Sequence, residues 1–483
     1  MTICEELGAW VAGLGVEDLP GSVRERAGLQ ALSIAAGRAA GEGVAAPFAV
    51  AAPEGPIGEV YRSAVASIAH DWDDYLFMGH TGHSAVPAAA AFADDEERRL
   101  VAQVAANEVA GRLGAALFFG PHNGQFWASI HCASAAVAAA VGLGLDGERT
   151  AQALAIALYQ PPYGMWPGFM GPKTKLLTAA EPAALGARAA LLAAEGVTGA
   201  LDVIEHPRGV LAALSFAPQP AMLAGFGEVW LTDTLAFKRL PGCAYLQSVG
   251  EAALASGLES VEVDGVEIEA GWLTCEMEEL GSGEDLSAVR VNFSARLTAA
   301  VALIARRLTP AELTPEWLVE REVEIRDLAG RMRVVHDPAL TARTLRGSIE
   351  AGGTPALGLR DILRIRRRLG DTGMEGANPA PAVIGALRRE PGLRRAVADS
   401  LGRRLRGSGG DAIAALDTAA LRVTFPSRLR IRLRDGSLRV VKGSEPGSCG
   451  RPIAEQRAVV AERLSVAGVD ATAAASTEPL ESS

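Results

Sequence analysis

Lysine is nearly missing from this chain. Of 46 basic residues only Lys173, Lys175, Lys238 and Lys442 are lysines, and the rest are arginine. A bias of this kind leaves lysine where a compact, mobile ammonium is needed and a planar guanidinium cannot replace it. Lys173 and Lys175 share a Gly/Pro-rich loop and Lys238 stands in a second loop, so the three are candidates for holding a substrate carboxylate. Cysteine is also scarce: Cys4, Cys132, Cys243, Cys275 and Cys449 are odd in number and lack paired short spacing. That excludes a disulfide framework or a zinc knuckle and predicts reduced thiols in the cytoplasm. Long apolar runs are absent, since Cys132–Leu145 falls short of the roughly 20 residues a bilayer requires and reads as a buried helix. Met1–Gly13 carries Glu5 and Glu6 but no basic residue, so no export signal is expected. A net charge of −11 argues against nucleic acid or an anionic membrane as partner.

The composition, 49% hydrophobic and 21% charged, is that of a soluble globular protein, and 483 residues exceed one compact core. Residues 1–248 are dominated by Ala-rich segments of helical length, such as Arg98–Phe118, Ser129–Val141, Thr150–Leu158 and Ala179–Ala194. They predict an all-helical domain. Residues 249–446 change pattern and predict a smaller α+β domain. Val261–Val263 and Val266–Ile268 flank Asp264-Gly265 and read as a hairpin; Val289–Phe293 and Val323–Ile325 read as strands. Leu429, Ile431 and Leu433 alternate with Arg430, Arg432 and Arg434 before an Asp435-Gly436 turn, the strongest strand-turn-strand signal in the chain. An Arg-rich helical insert is expected at about 343–420. Its residues 343–406 hold fourteen Arg against six acids, net +8, which leaves −19 for the rest. No aromatic residue is interleaved there for base stacking, so a solvated or docking helical face is the expectation. The small, polar residues from 469 to 483 predict a disordered tail.

Gly142-Leu-Gly-Leu-Asp-Gly147 spells a dinucleotide fingerprint but follows an Ala-rich helical run. The next acid after Glu148 is Glu181, so it reads as a turn between helices. The densest chemistry lies in His70-Asp-Trp-Asp-Asp-Tyr75, His80 and His83, three carboxylates and three imidazoles within fourteen residues. One reading is a metal-dependent hydrolase built on His70, Asp71, Asp74, His80 and His83. The other is an acid–base site in which some carboxylates cap helices while an imidazole moves protons. Ser84 and Pro87 suggest a helix start whose positive end lies near His80.

The order of landmarks resembles the MmgE/PrpD family, whose members include 2-methylcitrate dehydratase, cis-aconitate decarboxylase and iminodisuccinate epimerase. The resemblance is carried by Asp71-Trp72-Asp73-Asp74-Tyr75, His80 with Pro87-Ala88, Asn107-Glu108 through Gly114, and Leu143–Asp146. Thr174-Lys175 through Gly186, Gly196–Gly199, Phe237-Lys238-Arg239-Leu240-Pro241 and Val291–Ser294 continue it. It spans roughly residues 5–335 and 429–465, and 340–420 has no counterpart. It implies a mainly α fold: a large helical domain closed by about 447–468, an inserted α+β lid, a homodimer, and no obligatory cofactor. It also implies that Asp71, His80, Lys175 and Lys238 line the pocket. Three departures stand out. The family's Thr is Tyr75 here, one expected histidine falls on Gln125, with His122 and His131 nearby, and another is Cys243.

Tyr159, Tyr163, Trp166 and Phe169 precede the first lysine loop, while Trp72, Tyr75, Phe77, Phe126 and Trp127 occupy other candidate pocket loops. The resulting expectation is a lyase or isomerase that removes a proton next to a carboxylate or carbonyl of a larger, less polar biosynthetic intermediate. His80 would transfer the proton, Asp71 would orient it, and Tyr75 would donate a hydrogen bond. Lys175 and Lys238 would hold the anion, and Lys173, Gln125, Cys243, Trp72 and Trp166 would contact the substrate. A protein that keeps the scaffold for binding alone is the remaining alternative.

Overall fold

Small side chains set the spacing of the N-terminal half. In the helix Trp127–Gly142, the stretch Ala133–Ala140 is almost wholly alanine and fully buried. This helix is surrounded by Gly82–Phe92, Glu96–Ala116, Gly147–Tyr159 and Leu177–Ala194. Alanine lets such helices approach closely without losing helix propensity. At Gly186 the approach is closer than any β-carbon permits: one there would lie 2.0 Å from the Cys132 carbonyl oxygen. The computed structural model describes residues 1–120, 127–169, 171–280, 285–352, 359–371, 380–405 and 413–470. The chain is mainly α, at 64% helix and 8% strand, as the Ala-rich pattern predicts. Lys173–Ala194 is apolar and long enough to cross a bilayer, yet it packs as a core helix. The Gly142–Gly147 motif joins two helices, with Gly144 at φ 66° and Asp146 capping the second.

A second core gathers around a four-stranded sheet ordered β4-β3-β5-β6, with β3 Val263–Ala270, β4 Met332–His336, β5 Ser427–Leu433 and β6 Leu438–Lys442. β3 runs parallel to β4 and antiparallel to β5. Its register places Val266 opposite Ile431 and Ile268 opposite Leu429, so one face is apolar. On the other face Glu267 and Glu269 meet Arg430 and Arg428. The strand-turn-strand at 429–440 is therefore present. The expected hairpin at 261–268 is not: Asp264–Gly265 is a register shift within one strand, preceded by a helical turn at Ser260–Glu262. Val289–Phe293 and Val323–Ile325 are also helical, in Ala288–Phe293 and Glu322–Gly330. In the first, the Ser287 side chain accepts from the Arg290 N–H, a cap that starts a helix and not a strand. The Arg-rich region is helical at Pro338–Glu350, Leu359–Asp371, Ala380–Arg389 and Pro391–Leu405. The tail expected at 469–483 lies almost wholly outside the described residues.

Two features fix the acidic run in place. β1, Asp74–Tyr75, pairs antiparallel with β2, Ala236–Phe237, which brings the acidic run against the second lysine loop. The C-terminal helix Ile453–Ala467 packs on Gly21–Ala45 and sends the fully buried Arg463 inward. Arg463 donates to the Ser33 hydroxyl (2.6 Å), the Ser33 carbonyl (2.9 Å), the Asp73 carbonyl (3.1 Å) and the Trp72 carbonyl. Its guanidinium lies 4.7 Å over the Trp72 ring.

Gly186→Ala is expected to lower the unfolding free energy by about 1–3 kcal/mol, because the added carbon must push two packed helices apart. Arg463→Ala is expected to cost a similar amount or more by orphaning buried carbonyls. Denaturant unfolding of the two variants checks both.

Candidate active site

The acidic run hangs between two anchors. The helix Gly55–Ile68 ends just before it, and Asp71 then adopts φ 51°, a left-handed conformation that Asp tolerates better than most residues. The His70 carbonyl accepts from the Gly242 N–H and the Asn292 side chain, both carried by the second core. The Lys238 N–H bonds the Asp73 carbonyl at 3.1 Å as the β1–β2 ladder begins. The loop is therefore fixed from both sides before any side chain acts.

Asp71 lies between two ammonium groups, with Lys175 Nζ 3.1 Å from one oxygen and Lys238 Nζ 3.1 Å from the other. Lys238 also donates to the Asp71 carbonyl at 2.9 Å and stands 2.5 Å from Asp73 Oδ1. Asp73 Oδ2 contacts His80 Nδ1 at 2.7 Å and His83 Nε2 at 3.1 Å. His83 Nδ1 in turn pairs with the Ser67 hydroxyl at 2.8 Å. Aromatic rings form the walls. Lys175 Nζ is 4.9 Å from the Phe169 ring centre and 5.4 Å from that of Phe293. Trp127 meets His80 edge-on at 5.2 Å, and the Tyr75 ring is 6.1 Å away. Lys238 is sealed and the Lys175 side chain is 7% exposed, whereas His80 keeps a quarter of its side chain open.

Burial opposes the charge on Asp71, but Lys175 and Lys238 outweigh it and bring the carboxyl down to about 2. Burial likewise opposes ionisation of Asp73, and Lys238, His80 and His83 drive it well below the usual carboxylate range. Burial alone would lower Lys238; Asp71 and Asp73 reverse this and raise it above an ordinary lysine. The result is a buried, nearly neutral set of two carboxylates and two ammoniums. Behind it, burial and the charge of Asp73 push the Asp74 carboxyl up to about 6, against a 2.7 Å hydrogen bond from Gln30. Gln30 also accepts from Gln103 and Asn107, and Thr81 donates to Asn107, so Asp74 belongs to a polar scaffold.

The structure thus brings Asp71, His80, Lys175 and Lys238 together, with Tyr75 alongside. Asp71 does not orient His80, as the sequence suggested. The lysines occupy both its oxygens, and Asp73 takes the imidazole instead. Trp72 points away into the core, 2% exposed, with its indole N–H on the Arg239 carbonyl. Lys173 is exposed on the turn Lys173–Leu176. Cys243 is buried beside Asp71, and burial together with that charge pushes its thiol up to about 12, so it is no base. Gln125 and the Trp166 side chain lie outside the described residues, as do His122 and Phe126. His131 is buried and bonds the Ser84 hydroxyl at 3.0 Å. The helix expected to begin at Ser84 begins at Gly82, with Pro87 inside it. Of the proposed metal ligands, His80 and His83 share Asp73 Oδ2 and the others turn to separate partners. His70 Nε2 faces the Ala40 carbonyl, Asp71 the lysines and Asp74 Gln30. Among the described residues no three His, Cys, Asp or Glu side chains form a metal-holding group.

Residues 61–223 match the MmgE/PrpD N-terminal domain, a stretch that holds Asp71, Asp73, His80 and Lys175. This stretch is similar to the N-terminal domain of MmgE/PrpD proteins, which are generally lyases and isomerases, and the match suggests dehydratase- or lyase-like activity. No curated protein matches the chain significantly.

The raised Asp74 carboxyl makes a pH prediction. Its folded value lies above the unfolded one, so the stability it contributes is complete below about pH 4 and is lost as pH rises through about 6. Asp74→Asn removes this titration. The wild type is expected to lose about 3 kcal/mol relative to the variant across that window and no more above it, read from denaturant unfolding at each pH.

Proposed function

We propose that the chain is a cofactor-independent lyase or isomerase that removes a proton next to a carboxylate or carbonyl, with His80 as the base. The observation that carries this is the Asp73–His80 contact. A carboxylate on Nδ1 fixes the imidazole tautomer and stabilises the imidazolium that forms, while a quarter of the His80 side chain stays open. The two lysines divide the remaining work. Lys238, buried and bonded to two carboxylates and a carbonyl, holds the acidic loop in shape. Among the described residues Lys175 has a single carboxylate partner and two aromatic faces, so it is the ammonium that a substrate anion meets. In a water-poor site its charge stabilises the enolate that forms as the C–H pair moves toward the carbonyl oxygen.

Two outcomes follow from that enolate, and a third reaches an equivalent one. Protonation of the opposite face by water or a second donor, with the abstracted proton left on His80, gives epimerisation. Expulsion of a β-hydroxyl, protonated as it leaves, gives dehydration. If carbon dioxide departs first, the enolate it leaves behind takes its proton from His80. The walls of Trp127, Phe169, Phe293 and Tyr75 favour a substrate with an apolar portion beside its single carboxylate or carbonyl, a larger biosynthetic intermediate and not a tricarboxylic acid. A homodimer in the cytoplasm is part of the same reading. The separate partners of His70, Asp71 and Asp74 favour proton transfer over a metal-dependent hydrolase.

The test is solvent-deuterium incorporation, followed by NMR, into a panel of carboxylates bearing aryl or alkyl substituents, with 2-methylcitrate and cis-aconitate included. Exchange or turnover is expected for an apolar carboxylate, unaffected by chelator treatment. His80→Gln is expected to reduce it at least about 100-fold, the usual contribution of an acid–base group. Lys175→Ala is expected to weaken both binding and rate. Ordinary turnover of 2-methylcitrate or cis-aconitate would overturn the apolar-substrate assignment, and loss of activity on chelation would overturn the metal-free one.

A further inference from the structure

The insert that has no counterpart in the family pattern forms one wall of a second cavity. Three arginines of the helix Leu359–Asp371, namely Arg364, Arg367 and Arg368, line a space of about 460 Å³ against Ala212, Ser215 and Pro218 of the helical body. That volume lies within the ~300–1,000 Å³ usual for small-molecule sites. Spacings of three and four residues put the three guanidiniums on one helical face.

Their roles differ. Arg368 is the anchor: it donates to the Ser215 carbonyl at 3.0 Å and the Ala212 carbonyl at 3.3 Å, and it lies 5.2 Å over the Phe216 ring. This closes the end of the short helix Val210–Leu214 and holds the Arg-rich helix against the body. Arg364 and Arg367, one turn back or adjacent, remain exposed and line the same space. Among the described residues no carboxylate lines it. The facing wall contributes Ser215, itself 1% exposed, whose hydroxyl has no hydrogen-bond partner among the described residues. One anchored and two exposed guanidiniums around a concave space form a receptor for a multiply charged anion. A guanidinium is most selective for the planar, bidentate geometry of phosphate oxygens. The helix Leu359–Asp371 itself carries no aromatic residue to stack a run of bases, which argues against a polynucleotide.

We propose that this cavity binds a phosphorylated small molecule carrying at least two negative charges, such as the diphosphate group of a nucleotide, independently of the His80 site. Isothermal titration of the full-length protein with ADP and with inorganic pyrophosphate tests it. Saturable one-to-one binding of either is expected; binding of ADP alone would mean that the nucleoside occupies part of the space. Arg364→Ala combined with Arg367→Ala, two exposed positions, should weaken that binding at least tenfold. Arg364→Lys with Arg367→Lys, which keeps the charge but loses the fork, should weaken it severalfold. Lys175→Ala should leave it unchanged. The proposal is overturned if neither ligand binds saturably or if the double alanine variant binds as well as wild type. It is equally overturned if Lys175→Ala abolishes binding, or if citrate or a single-stranded oligonucleotide binds more tightly than both phosphates.

Discussion

The Lys238 ammonium is the contact on which the site's geometry depends, because it joins the second lysine loop to the acidic run. It reaches from β2 into the acidic loop, bonds the Asp71 carbonyl, and lies against the carboxylates of both Asp71 and Asp73. None of its side chain is exposed, so no water can take its place. Deleting one member of a buried ionic group of this kind leaves the others uncompensated and commonly costs about 3–5 kcal/mol. Without Lys238, Asp71 would have little reason to hold a left-handed backbone, and Asp73 would carry a buried charge offset only by imidazoles. The orientation of His80, which rests on Asp73, would then be lost at second hand.

The surrounding structure is arranged to keep that contact in place. The β1–β2 ladder aligns the two loops, Asn292 and Gly242 hold the His70 carbonyl from the second core, and Arg463 grips the Trp72 and Asp73 carbonyls from the C-terminal helix. Trp127 packs against both hydrophobic cores and presents an edge to His80. The site is thus assembled from the helical body, the sheet-containing core and the last helix at once. Small shifts between these parts would be felt at the imidazole, which gives a physical reason for the closely packed alanine and glycine helices beneath it.

What the sequence disclosed follows from how local each signal is. The Ala-rich helices and the Arg/apolar alternation at 429–433 were legible because burial repeats along one element. The misread segments were short: Val323 and Ile325 alternate like a strand, but Ile325, Leu328 and Ala329 are buried at helical spacing while Val323 is 85% exposed. The rarity of lysine pointed to Lys175 and Lys238 correctly as a pair that meets in space, yet it equally marked Lys173, which stays on the surface. Asp71 and Asp73 could not be told apart from the sequence. They are two residues apart in one acidic run, and the turn at Asp71 alone decides that one faces the ammoniums and the other the imidazoles. Arg463 carried no signal at all, since its partners are mostly backbone carbonyls some 390 to 430 residues away in the chain.

The charge balance of the site also limits what can enter it. Two carboxylates and two ammoniums leave the buried set close to neutral, so an incoming anion gains little from the set as a whole. It must gain from one member. Lys175 shares its carboxylate partner with Lys238, which would still neutralise Asp71 if Lys175 swung away toward a substrate. The exchange therefore strands no charge: Asp71 keeps Lys238, Lys175 gains the substrate carboxylate, and the apolar faces of Phe169 and Phe293 exclude the water that would screen the new pair. A second carboxylate on the substrate would find no such spare cation among these residues. That asymmetry, more than the aromatic lining alone, favours a guest with one negative group over the polycarboxylates handled by the relatives that the sequence resembles.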